Sequence, residues 1–303
     1  MYWFIIIIWP CIFLAGNAYG YEVITTPHFT FHYTAEDERL TKRLIHQGES
    51  FRKEIEEDLG IYLEERTRVY IAPSFREYKK IQPAAGIPIW SVGVAYPDLN
   101  LIIIKSPRAQ KKGHIDIAKV FKHELTHIIL GRAFQGRERV PRWLHEGLAM
   151  YISREWNFSR ISVMTRAVLT DTLIPLSSIT HSFPREAERA ALAYSESFYL
   201  ISFLISKYDK YNFHRFIKVY SGGSDLKSAL LEVYGVKWED FEGKWKKYLK
   251  LRFSWIPLFT STTTLWFLVS MLFILGYLKK RRLKRLKFEE WEVEEKAYDK
   301  IKG

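Results

Sequence analysis

Apolar and polar positions divide the chain into a stretch of mixed period, a long helical stretch, and uncharged segments near both ends. Residues 21–33 alternate and close on HFTFHY, which predicts one half-buried strand. Over residues 35–59 the period changes. Leu40, Leu44, Phe51, Ile55 and Leu59 fall on one helical face, and Gly60 closes the helix. Residues 68–72 read as a short strand stopped by Pro73, and a brief helix follows through Tyr78 to Ile81. Pro83, Gly86 and Pro88 mark a loop. Two apolar runs, 91–96 and 100–104, flank Pro97-Asp98-Leu99 and predict a hairpin or a strand with a tight turn. After a basic loop at 107–113, the pattern is largely helical from Ile115 to Leu251, including a helix over 187–208. The expected fold class is α+β: an N-terminal α/β half with a mixed sheet at 21–112, then a mainly helical half at 113–252.

The ends predict topology. Residues 1–20 carry an uncharged run from Trp3 to Gly16 and small residues in Ala18-Tyr19-Gly20, the pattern of a signal peptide, with an uncleaved anchor helix as the alternative. Residues 253–278 contain no charge. As one helix they would reach about 39 Å at roughly 1.5 Å per residue, enough for a single transmembrane span. The run KKRRLKRLK, from Lys279 to Lys287, follows directly. Basic clusters stay on the cytoplasmic side, so the tail 279–303 is expected inside and residues 21–252 in the periplasm or outside the cell.

Charge and composition narrow the picture. The net charge of +12 suggests an anionic partner, but the basic run lies against the uncharged segment, where anionic lipid is the simplest match and no nucleic acid is expected. A single cysteine, Cys11, excludes an internal disulfide framework and a cysteine-based zinc module. Apolar residues at 48% allow a packed core. His28 and His32 share a strand at even spacing, but two histidines without a third ligand favour a structural role.

Candidate chemistry gathers at His123-Glu124-Leu125-Thr126-His127. Residues four apart on a helix share a face, so His123 and His127 can chelate one ion, with Glu124 beside them to accept a proton from water. Phe121, Leu125, Ile128 and Ile129 supply the apolar face behind them. The segment Val140 to Ala149 contains Pro141, suited to a first helical turn, and small Gly147 and Ala149. A second helix there can fold back antiparallel on the first and turn Glu146 toward the histidines. Two histidines and one carboxylate with an open position suit Zn2+.

His123, His127 and Glu146, with 18 residues between the second histidine and that glutamate, resemble the gluzincin zinc peptidases. Trp143-Leu144-His145-Glu146-Gly147-Leu148-Ala149 is similar to the W-L-N-E-G-F-A segment of aminopeptidase N relatives. A closer similarity, over residues 22–250, is to bacterial peptidase MA-like domains of the thermolysin-like superfamily. The resemblance implies a peptide substrate. It also implies that a strand at Gly93, Val94 and Ala95 pairs with that substrate, and that a tyrosine on the helix after Glu146 meets the oxyanion. Tyr194 is the candidate and Tyr199 stands behind it, with Ser197, His181, His145 and His114 as lesser options. Glu186, Glu188 and Glu196 read as a solvated face. Two departures stand out. Thermolysin-type enzymes place an Asp four residues after the ligand Glu to orient a zinc histidine, where this chain has Met150; and the Asn before the Glu is His145.

The expected function is a membrane-anchored zinc metallopeptidase acting outside the cytoplasm. The alternatives are a non-catalytic zinc-containing binding module, or an amidase or esterase using the same site.

Overall fold

The computed structural model describes residues 20–83, 91–110, 115–134, 140–155, 158–254 and 262–302. The signal-peptide segment, His114 and the loop after Pro83 lie outside them. The chain forms two compact units, Met1–Val163 with Leu173–Trp245, and Met164–Thr172 with Lys246–Gly303. Apart from Met164–Thr172, the two expected halves, 21–112 and 113–252, therefore share the first unit up to Trp245.

That unit is built on a five-stranded mixed sheet of order β1-β2-β3-β5-β4. Its strands are β1 (Glu22–Thr25), β2 (Phe29–Tyr33), β3 (Thr67–Ala72), β4 (Gly93–Tyr96) and β5 (Leu101–Lys105). The single strand expected at 21–33 is an antiparallel hairpin. Pro27 lacks an N–H for a ladder, and the Thr26 N–H closes the turn on the Phe29 carbonyl at 2.8 Å. His28 lies in that turn and bonds Glu49 at 2.5 Å, while His32 stacks on Tyr70 at 4.1 Å, so both take structural places.

The helix α1 (Glu38–Leu59) connects β2 to β3, which pair parallel. It ends on Gly60 at φ 67, a left-handed cap that glycine adopts without steric cost. β5 lies parallel to β3, and β4 pairs antiparallel with β5 across a short turn at Pro97–Leu99, as the hairpin pattern predicts. All five residues of β5 are buried, which explains its continuous apolar run. β4 is an edge strand.

α3 (Ile117–Ala133) is capped by Asp116, whose carboxylate accepts from the Ala118 and Lys119 N–H groups. Its buried Phe121 ring packs on Phe29 and Phe31 at centroid distances of 5.6 and 5.9 Å, fixing the helix to the sheet. At Gly131 a Cβ would lie 2.5 Å from the Pro97 ring, so this glycine lets α3 seat on the β4–β5 turn. The remaining helices are α4 (Arg142–Ile152), α5 (Phe158–Leu169), α6 (Ala187–Ser221), α7 (Leu226–Tyr234) and α8 (Trp238–Phe253). The missing Cβ of Gly147 makes room for the Ser197 carbonyl, and so seats α4 on α6.

α6 runs beyond the expected 187–208. Its helical geometry breaks at Asp209, with φ 65 and ψ 168, where the carboxylate accepts from the Asn212 N–H at 2.8 Å and caps the second segment. Glu196, expected in a solvated face, is wholly buried on α6 and accepts from the Ile174 N–H at 2.8 Å.

In the second unit, Met164, Ala167, Leu249 and Phe253 are buried, and Lys250 pairs with Asp171 at 3.8 Å. The last helix, α9, spans Thr262–Lys302. The single span expected at 253–278 is divided: Phe253 ends α8, residues 255–261 lie outside the described ones, and Thr262 begins α9. The uncharged part of α9 ends at Leu278 and reaches roughly 26 Å at ~1.5 Å per residue, short of a hydrocarbon core of about 30 Å. No helix among the described residues is long and apolar enough to cross a membrane. Trp266, Phe267, Leu272, Phe273 and Tyr277 are all at least half exposed on α9.

Candidate metal centre

α3 and α4 bring the predicted ligands together. His123 and His127 lie one turn apart on α3, with their Nε2 atoms 3.0 Å from each other. Glu146 on α4 points an oxygen at both, 3.9 Å from His123 Nε2 and 3.8 Å from His127 Nε2. These three groups form a candidate metal-holding set whose ligand atoms lie within 4.8 Å of one another. Ligand distances of about 2.0–2.2 Å at tetrahedral angles separate neighbouring ligand atoms by about 3.3–3.6 Å. The observed spacings straddle that range, so the residues fit Zn2+.

Burial without a cation leaves this cluster in electrostatic conflict. Burial pushes the Glu124 carboxyl up; His123 opposes and Glu146 and Glu155 reinforce the shift, which ends at about 7. Burial also raises Glu146, against the pull of Arg142 and His123. For His123, burial works against charge, but the Glu155 hydrogen bond and the carboxylates of Glu124, Glu155 and Glu146 outweigh it and raise the imidazole to about 9. Burial holds His127 well below its ordinary value, helped by the charges of His145, His123 and Arg142. A bound dication would relieve the repulsion among the three carboxylates and accept both neutral imidazoles.

Each ligand is contacted differently on its far side. The His123 Nδ1 lies 2.6 Å from a Glu155 oxygen. Glu155 also accepts from Ser153 at 2.9 Å and from Arg160 at 3.2 Å. Burial alone would raise the Glu155 carboxyl, but His123, Ser153 and Arg160 bring it down to about 2. The His127 ring stacks on His145 at 4.3 Å with an 8° interplanar angle, and its Nδ1 is buried with no hydrogen-bond partner among the described residues. Arg142 holds the other oxygen of Glu146 at 3.0 Å. Glu155 was not anticipated from sequence, because it comes nine residues after the ligand and outside the helix. Arg142 was also missed. Its one sequence signal is its place four residues before Glu146, one turn away on the same helical face.

Of the tyrosine candidates, Tyr194 is brought to the site. The charges of Glu146 and Arg142 act on its hydroxyl, and its ring packs edge-on against Phe183 at 4.8 Å. Burial raises its phenol above the ordinary value, so it stays a proton donor. Tyr199 is a core aromatic against Phe198 at 5.3 Å. The Ser197 hydroxyl is buried and spent on the Ala193 carbonyl. Exposed His181 is not part of the cluster, whereas His145 is.

Gly93 abuts the centre: a Cβ there would lie 2.7 Å from Glu124 Oε1 and 2.8 Å from Val120. The edge strand β4 therefore passes directly beside Glu124. Ala95 shares the face of Gly93, and Val94 points to the other, against Tyr78 and Ile103.

No curated protein matches the chain. Similar solved structures include yeast LTA4 hydrolase, at 16% identity and TM-score 0.46, covering 73% of this chain and 38% of that one. An M1 zinc metallopeptidase from Deinococcus radiodurans aligns at 15% identity and TM-score 0.40, covering 76% and 50%. A two-domain M1 zinc metallopeptidase bound to L-arginine aligns at 15% identity and TM-score 0.41, covering 77% and 51%. The chain thus spans about half the length of these structures or less. The family model of the Peptidase MA superfamily matches residues 52–251, from the middle of α1 to the end of α8 and across the whole metal centre. On that match, the chain belongs to the Peptidase MA superfamily.

Proposed function

We propose that this protein is a membrane-anchored zinc metallopeptidase that hydrolyses peptide bonds outside the cytoplasm. The observation that carries the reading is the convergence of His123, His127 and Glu146 with a buried Glu124 that lies against Gly93 of β4. Zinc held there supplies Lewis acidity toward the scissile carbonyl and makes water nucleophilic near neutral pH.

The rest of the chemistry belongs to the chain. Glu124 accepts the proton of the attacking water and delivers it to the leaving amine, the two transfers a carboxylate beside the metal-holding set can make. Tyr194 donates its hydroxyl to the oxygen of the scissile carbonyl as negative charge develops there. Arg142 holds Glu146 by one oxygen and leaves the other for the metal. The β4 backbone at Gly93, Val94 and Ala95, at the edge of the sheet among the described residues, would receive an extended peptide, whose main chain adds as a further strand. Gly93 is the one residue that brings this backbone against Glu124 without displacing it.

The anchor we assign to residues 253–278, where exposed apolar side chains on α9 precede the Lys279–Lys287 basic run. The run would sit at anionic headgroups on the cytoplasmic face, leaving residues 21–252 outside. The deciding experiment measures zinc per purified chain and digestion of a peptide library, with Glu124→Gln as the control. About one zinc and cleavage that Glu124→Gln abolishes supports the reading. Zinc without cleavage favours a binding module, and cleavage of esters but not peptides favours the esterase.

A further inference from the structure

We propose that Glu155 is the positioning carboxylate of this metal centre, fixing through His123 Nδ1 the aim of the first zinc ligand. The proposal rests on the zinc-site reading above. The position four residues after Glu146 is Met150, which is 1% exposed and has Arg160 Nη1 at 2.8 Å from its sulfur. A thioether is only a weak acceptor and does not replace a carboxylate for an imidazole N–H.

The chain supplies the carboxylate by another route. α4 ends at Ile152, and Arg154 then takes a left-handed conformation, φ 56, uncommon for a residue with a side chain. The Arg154 N–H bonds the Tyr151 carbonyl at 3.2 Å and the Glu155 N–H bonds the Met150 carbonyl at 3.0 Å. This turn folds the chain back over the end of α4, so that Glu155 reaches His123 on α3. Ser153 and Arg160 hold the carboxylate from two further sides, and Arg160 comes from α5. The two bonds make a Schellman cap on α4, with Arg154 in the left-handed position where glycine is usual, and Glu155 is the residue that follows it.

The geometry gives the contact a specific consequence. A neutral imidazole has one N–H, and a carboxylate at Nδ1 keeps it there, leaving the Nε2 lone pair toward His127 and Glu146. His127 has no such partner at its own Nδ1 among the described residues and relies on the His145 stack. The aim of the pair is therefore set mainly from the His123 side.

The test titrates the metal-free full chain with zinc against a chelating dye, for wild type, Glu155→Gln and Glu155→Leu. Loss of such a partner costs about 10–100-fold in metal affinity. The Gln variant, which keeps an acceptor oxygen, should lose about tenfold and the Leu variant about a hundredfold. At saturating zinc, kcat on a peptide substrate should fall while KM stays within about twofold, a split that general destabilisation does not produce. If Glu155→Leu fails to fold, Glu155→Gln carries the test. Wild-type zinc binding with unchanged affinity in the folded variants overturns the role of Glu155 alone. A wild type that takes up no zinc overturns both this role and the function it rests on.

Discussion

In the sheet, Val69, Ile71, Ile102, Ile103 and Ile104 are wholly buried beside Phe29 and Phe31, and β3 and β5 are paired along both edges. Around His123, a less completely buried cluster holds Glu124 and Glu146 with His127 and His145, beside Glu155 and Arg160. Burial in the sheet is favourable by itself, because apolar area leaves water and every ladder group is satisfied. Burial at the centre is unfavourable until a cation arrives, because carboxylates are desolvated next to one another. The contrast separates residues kept for the fold from residues the fold must support at a cost. Changes in the sheet should therefore move stability, and changes at the centre should move zinc and catalysis.

The largest expected effect is at Glu124. Glu124→Gln keeps the side-chain shape and removes the base, so peptide hydrolysis should fall by about 10²–10⁴-fold. Zinc content and melting temperature should match the wild type. Residual activity within tenfold of wild type would show that burial of this carboxylate serves packing, and the comparison would lose its main support.

Ile103→Ala probes the other side. Truncating a wholly buried isoleucine should cost about 2–5 kcal/mol in chemical denaturation. Zinc affinity of the folded fraction should stay unchanged. A zinc affinity that falls with it would mean that sheet and centre form one energetic unit.

Gly93→Ala sits at the join of the two regions. Its new Cβ would meet Glu124 Oε1 at 2.7 Å, so the base must move. A displacement of that kind should lower kcat by up to about a hundredfold with zinc retained. An unchanged kcat would show that Glu124 has room to spare.

The smallest effect is with pH. The folded, metal-free His123 is raised to about 9 from an ordinary 6.5. Its charged form therefore stabilises the metal-free protein fully below about pH 6.5, and this contribution is lost as pH rises through about 9. Zinc needs the neutral ring, so binding must expel that proton. Apparent zinc affinity should rise about tenfold per pH unit between pH 7 and 8. Chelator competition at the two values measures it, and a flat profile would show that the metal-free site carries no extra proton.

Some of this was legible along the chain, for reasons of range. Helical period is local, so His123, Glu124 and His127 share a site by their spacing alone, and Pro141 with the following apolar pattern places Glu146 on the next helix. The edge hairpin at 91–104 was legible in the same way. Turns were less so: Pro27 hides inside an alternating run, and Asp209 breaks a helix whose apolar period continues through it.

The sequence by itself determined the α+β class, the helical spacing that groups His123, Glu124 and His127, the helix that carries Glu146, and the charge-free segment before the basic tail, because each is written in neighbours within a few turns of chain. Only the tertiary structure decided what surrounds them. Gly147 seats α4 on α6 because the Ser197 carbonyl happens to arrive there. Tyr194 comes within reach of the charges of Glu146 and Arg142, and Tyr199, five residues on, faces the core. Glu155 meets His123 across 32 residues because one left-handed residue reverses the chain. Such contacts depend on how separate helices pack, and packing is set by the summed shape of many side chains rather than by any local period.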